Sequence, residues 1–140
     1  MVLFYAALYK YTQKRCYLET MREVLRPIEQ YFEKNSIGKE TQNGLYNGCS
    51  GAVYLYAVIS DLLHEESYRA HADRLLREMA SSRVLSQKND VMIGNAGAIL
   101  VAARLSEPGD AIIDPYLHTL AQKIIEAADV YPTGCFIGKE

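Results

Sequence analysis

The feature that most constrains this chain is an internal repeat. GLYNGCSGAVYLYAV begins at Gly44 and DVMIGNAGAILVAAR begins at Asp90; a shift of 46 positions superposes Gly48 on Gly94 and Gly51 on Gly97. Each copy opens with G-x-x-G and runs into an apolar stretch, Ala52–Ile59 in one and Ala96–Ala103 in the other. The opening segment, Val2–Tyr9, is of the same kind. A helix apolar on every face has to be covered on every face. Between these stretches the pattern changes. Tyr17, Leu18, Met21, Val24, Leu25, Ile28, Tyr31 and Phe32 recur at i, i+3, i+4, i+7, interleaved with Glu19, Arg22, Glu23, Arg26 and Glu29. Tyr68, Ala72, Leu75, Leu76 and Met79 repeat that stripe, and so do Ile113, Leu117, Leu120, Ile124, Ile125 and Ala128. Such alternation at this period predicts stacked helical hairpins. Their connectors, Asn35–Asn43, Ser81–Asn89 and Glu107–Asp110, are polar or contain Gly or Pro. No strand is needed anywhere.

Wholly apolar helices alternating with amphipathic ones predict two concentric layers. A straight solenoid leaves both helices of each pair partly wet, whereas an α/α toroid hides one ring inside the other. The expected fold is therefore all-α, an α/α toroid of helical hairpins. About three hairpins cannot close such a ring, so residues 1–140 are expected to be one partial domain, truncated at both ends. Val2 enters its helical pattern without an N-cap residue, in keeping with that expectation. An uncapped repeat edge invites association through the open toroid edge.

Composition removes several classes of function. A 49% hydrophobic, 23% charged chain is globular rather than disordered. Its 15 basic and 17 acidic residues leave a formal charge of −2, which argues against a nucleic-acid partner. No apolar run approaches the ~18 residues of a membrane span, and Met1–Leu8 lacks the basic leader of a signal peptide. Cys16, Cys49 and Cys135 are odd in number and scattered, which points to a reducing cytoplasm; Cys16 and Cys49 read as packing, and Cys135, without a neighbouring histidine, is not expected to be a ligand. His64, His71 and His118 sit among charged residues and are expected in solvent. Tyr46, Tyr54 and Tyr56 suit the core, or the wall of a peptide channel. No Walker loop, HExxH or G-x-S-x-G motif is present.

The glycines are the sharpest candidates for a site. Glycine costs ~1 kcal/mol in a helix interior, but at a first turn it permits positive φ and close backbone approach. In a ring, the inner helices would turn their N-termini toward one central space, where free N–H groups favour anionic groups. Gly48, Gly51, Gly94, Asn95 and Gly97 are thus candidates for lining a cavity or binding substrate. Asp90 stands at the mouth of the second copy, as a turn or cap residue or as a functional carboxylate. Gly44 takes the aligned place in the first copy, so the fold itself does not ask for an aspartate there.

GLYNGCSGAVYLYAV and NDVMIGNAGAILVAARL resemble the first glycine-rich repeats of the lanthionine synthetase C-like family, and FYAALYKYTQKRCYLETMREVLRPIEQYF resembles the hairpin before them. The likeness is closest to the cyclase half of class II lanthipeptide synthetases and reaches to about residue 130. It implies a toroid of about seven hairpins around a cavity. It also implies that the parent protein adds peptide cysteine thiols to dehydroalanine or dehydrobutyrine, closing thioether rings in a dehydrated precursor peptide. In the family, zinc held by two cysteines and a histidine activates the thiol, because the thiolate is the nucleophile. By the resemblance, Asp90 is the catalytic residue, concerned with proton handling. The family's zinc ligands have no counterpart here, so this chain alone is expected to hold no zinc and to be inactive. Thr133–Gly138 has the spacing of the family's G-x-x-H-G motif, with Ile137 where the histidine belongs. Two other classes compete: a non-catalytic toroid that binds peptides or thiols, and a toroidal glycoside hydrolase. The latter requires paired carboxylates, and only Asp90 is so placed.

Overall fold

The computed structural model describes residues 1–38, 41–131 and 134–137, with side-chain surroundings as far as residue 128. Six helices run in order: α1 Val2–Thr12, α2 Arg15–Lys34, α3 Cys49–Leu63, α4 Glu66–Ser82, α5 Asn95–Leu105 and α6 Ile113–Glu126. They pair as three hairpins, α1 with α2, α3 with α4 and α5 with α6. The apolar members stack in the order α1, α3, α5, and α4 touches α6 in the outer layer. The two layers and three hairpins match the all-α toroid arrangement that the alternating pattern implies. Among the described residues, no helix is long and apolar enough to cross a membrane.

The core lies between the layers. Val53, Tyr56 and Ile59 of α3 meet Leu75, Leu76 and Met79 of α4; Met21 and Leu25 of α2 and Leu120 of α6 extend it on either side, all of them fully buried. Each such side chain contributes ~1.5–3 kcal/mol on leaving water. Polar ties cross between neighbouring hairpins. Glu78 Oε1 accepts from Ile37 N–H at 2.9 Å, and Tyr116 O–H donates to Val84 O at 2.7 Å. Arg69 Nη2 donates to Leu105 O at 3.0 Å, and Arg77 pairs with Asp110 at 2.6 Å.

Three expectations change. The apolar helices are not covered all round: Phe4, Tyr54 and Leu100 each keep about half of their surface in water (59%, 45% and 56%). A helix in the inner layer has one face left over after contacting its partner and its neighbours. The segment after α6 is not helical either. Ala128–Tyr131 and Gly134–Ile137 form an antiparallel hairpin, β1 and β2, with Ala128 opposite Ile137. Ala128 thus leaves the α6 stripe, which ends at Glu126. Val130 and Tyr131 are strand formers. Cys16, expected in packing, is exposed on the first turn of α2.

Candidate functional site

The repeat is reproduced hydrogen bond by hydrogen bond at the starts of α3 and α5. Cys49 N–H donates to Gln42 O at 2.9 Å, and its repeat mate Asn95 donates to Lys88 O at 3.0 Å. Gly48 and Gly94 precede these residues with extended backbone, φ −135° and −127°. Neither of these has positive φ; among the described glycines only Gly109 does. What the motif needs is close approach. A Cβ on Gly48 would strike Gln42 O and Asn43 C; one on Gly94 would strike Lys88 O and Asn89 N, the same positions one repeat on. The first N–H of each helix is taken by its own connector, which weakens the expected attraction for anions.

The two glycine turns lie against each other. Leu45 N–H donates to Val91 O at 3.3 Å and Tyr46 N–H to Met92 O at 2.9 Å. Gly44 has to be glycine here, because its Cβ would enter the backbone of Met92 and Ile93. Gly97 and Gly51 each hold a carbonyl of their own turn, Val91 O and Leu45 O respectively. Gly94, Asn95 and Gly97, expected at a cavity wall, are buried. The two glycines are packing positions, while Asn95 also borders a small polar pocket of about 220 Å³ beside Lys123 and Glu126. Gly48 and Gly51 do line open space, a groove of about 710 Å³ between α1, α2 and the first turn.

Asn95 is a buried junction that sequence reading identified only as a lining residue. Its Oδ1 accepts from Asn43 Nδ2 and from Ser86 N–H, both at 2.9 Å, while its Nδ2 donates to Ser86 O and Asn89 Oδ1. Asn43, on the preceding connector, was missed by sequence reading. It is fully buried, and its Nδ2 also reaches Val84 O. A signal existed: Asn43 and Asn89 are repeat mates.

Asp90 is exposed at the tip of the second turn. Its Oδ1 accepts from Met92 N–H at 2.8 Å and Ile93 N–H at 2.9 Å, an Asx turn. Met92 is the mate of Tyr46, so Asp90 takes within its own turn the N–H that the first turn gives to its neighbour. Among the described residues, Asp90 Oδ2 accepts no hydrogen bond. The next three residues of its turn, Val91, Met92 and Ile93, are exposed apolar side chains, as is Tyr46 on the turn bonded to Met92 O. Tyr54 is half exposed beyond them, and Tyr56 belongs to the core.

The sequence profile described as lanthionine synthetase C-like protein matches residues 1–133. The chain belongs to that family. Comparison with curated proteins and with solved structures returns no match.

The family's zinc does not fit the donors described here. No group of three His, Cys, Asp or Glu comes together among the described residues. Cys49 is buried, its Sγ donates to Gln42 O at 3.1 Å, and burial pushes the thiol up to about 12. His71 stacks on the Tyr56 ring at 5.4 Å, His64 ends α3, and all three histidines are exposed on or beside outer helices. The side chain of Cys135 lies outside the described residues, as do Thr133 and Gly138 of the G-x-x-H-G-like segment.

Proposed function

We propose that this chain is part of a lanthipeptide cyclase domain and supplies its proton-handling carboxylate, Asp90. The observation that carries this reading is a carboxylate fixed through Oδ1 by two backbone N–H groups, with Oδ2 open and exposed apolar side chains next to it in the turn. Apolar neighbours suit a dehydrated precursor peptide. In the reaction, the peptide thiol loses its proton and sulfur bonds to the alkene β-carbon. The π pair moves toward the carbonyl as an enolate, and the α-carbon takes up a proton. A carboxylate with one anchored and one open oxygen can carry that proton without changing the turn. Zinc, which in this family activates the thiol, would be held by ligands other than the residues described here.

The test is Asp90→Asn in a synthetase carrying this segment. The amide oxygen still accepts both N–H bonds, so the turn persists, but the amide cannot carry a proton. Thioether formation, read as loss of alkylatable thiols in the dehydrated precursor, should slow by ~100-fold or more. An unchanged rate would overturn the assignment. A second reading, a peptide-binding scaffold without catalysis, is favoured by Ile137 at the histidine place. It predicts that the precursor binds while its thiols persist.

A further inference from the structure

We infer that the groove beside Gly51 is the seat of a polypeptide turn from outside these 140 residues, one in which a glycine is followed by an apolar residue. The inference does not depend on the cyclase reading. It comes from the internal repeat, which shows the same seat filled once and open once.

At the filled seat, a Cβ on Gly97 would meet Val91 O, Leu45 N at 3.0 Å and Leu45 Cβ at 3.1 Å. Val91 O, the N–H that donates to it, and the apolar residue carrying that N–H thus converge on Gly97. At the open seat, one repeat earlier, a Cβ on Gly51 would meet Leu45 O and C alone. Among the described residues, no backbone donor reaches Leu45 O or Tyr46 O. The place where donor and apolar side chain would lie is the 710 Å³ groove, bordered by Gly51, Ala52, Leu55, Leu3 and Phe32. It continues the turn-on-turn contact of Leu45–Tyr46 with Val91–Met92.

The filled seat also defines the occupant. It needs two successive free N–H groups, to satisfy Leu45 O and Tyr46 O. It needs a glycine before them, as Gly44 is needed against Met92 and Ile93. A second copy of the chain offers no turn that meets both demands. Its Gly44–Tyr46 turn is already engaged, and its Asp90 turn carries a side chain at the glycine place and has spent the Met92 N–H on Asp90.

A capped peptide copying Gln42–Gly48, QNGLYNG, added to the whole 140-residue chain tests the inference. Amide resonances of Leu45, Tyr46, Gly51 and Leu55 should shift saturably with peptide. The same peptide with alanine for its glycine at the Gly44 place should bind at least tenfold more weakly. Ala52→Leu fills the groove from half-buried Ala52 on its wall, and should weaken binding by a similar factor while the helical circular dichroism stays unchanged. Absence of saturable shifts, or equal binding by the alanine peptide, overturns the inference. So does concentration-dependent self-association that the peptide inhibits, because the seat would then hold a second copy.

Discussion

Residue identity matters most where backbone meets backbone. Gly97→Ala forces a methyl group onto Val91 O, a contact no rotamer relieves. It should destabilise by ~2–3 kcal/mol in urea unfolding, whereas Gly38→Ala, with no atom of the described residues within 4 Å, should change stability by less than ~0.5 kcal/mol. Equal effects would show that the turn contact carries no stability. Asp90 has a structural task that can be separated from chemistry. Asp90→Ala leaves Met92 and Ile93 N–H without their acceptor and should cost ~1 kcal/mol, while Asp90→Asn should cost little. Cys49 and Cys16 are opposites. Burial keeps Cys49 a protonated thiol, so in the native chain at pH 8 iodoacetamide should label Cys16 and spare Cys49, as read by peptide mass mapping.

Elements are joined here by polar locks rather than by capping side chains. None of the six helices has a side-chain bond at its N-cap. Asx turns at Asp90 and Asp110 lead into α5 and α6 instead. The Asn43–Asn95 pair fastens the connector before α3 to the first residue of α5. Asn95→Ala strands Ser86 N–H and one Asn43 amide proton in the interior, and should cost ~3 kcal/mol. The double variant with Asn43→Ala should cost less than the sum of the singles, a coupling that a double-mutant cycle measures. Additive losses would mean that the two amides act independently. Asp110 is held below the usual carboxylate range by the N–H groups of Ile112 and Ile113 and by Arg77. The stability this tie between α4 and the α6 entrance adds is therefore complete above the ordinary 3.8 and is lost as pH falls through the lowered value of the folded chain.

For the molecule as a whole, high pH is the revealing condition. Burial raises Cys49 from 9.0 to about 12 and Tyr56 from 10.0 to about 12, and raises Tyr116 as well. The unfolded chain ionises these groups first, so above pH 9 it binds fewer protons than the folded chain. Their stabilising contribution is complete below pH 9 and is lost progressively toward pH 12. Urea midpoints should hold steady near neutrality and decline beyond pH 9, with Cys49→Ala delaying the onset. A pH-independent midpoint through that range would show these groups solvated. At the same scale the turns make a one-way stack, in which each turn gives N–H groups to the next and offers carbonyls to the one before. Asp90 closes the donor side of that stack, and Leu45–Tyr46 leave the acceptor side open.

The sequence by itself determined the layering, because apolar and amphipathic helices bury different fractions of their surface and that difference is written in the spacing of Tyr17–Phe32, Ala52–Ile59 and their repeats. It also determined the register: the 46-residue shift that superposes Gly48 on Gly94 recurs in the bonds from Cys49 and Asn95. Only the tertiary structure decided why the glycines are there. Close approach is a property of two chain segments, and neither Met92 beside Gly44 nor Leu45 beside Gly97 is local in sequence. The same holds for Asn43, whose polar side chain in a connector looks solvated until Val84, Asn95 and Tyr116 close over it. Which face of the inner helices stays open was equally hidden. Tyr54 and Tyr56 have the same composition and nearly the same place, yet one faces water and the other the core. Two positions apart on a helix they point to nearly opposite sides, and which side is covered is set by where the neighbouring hairpins pack, which no single helix encodes.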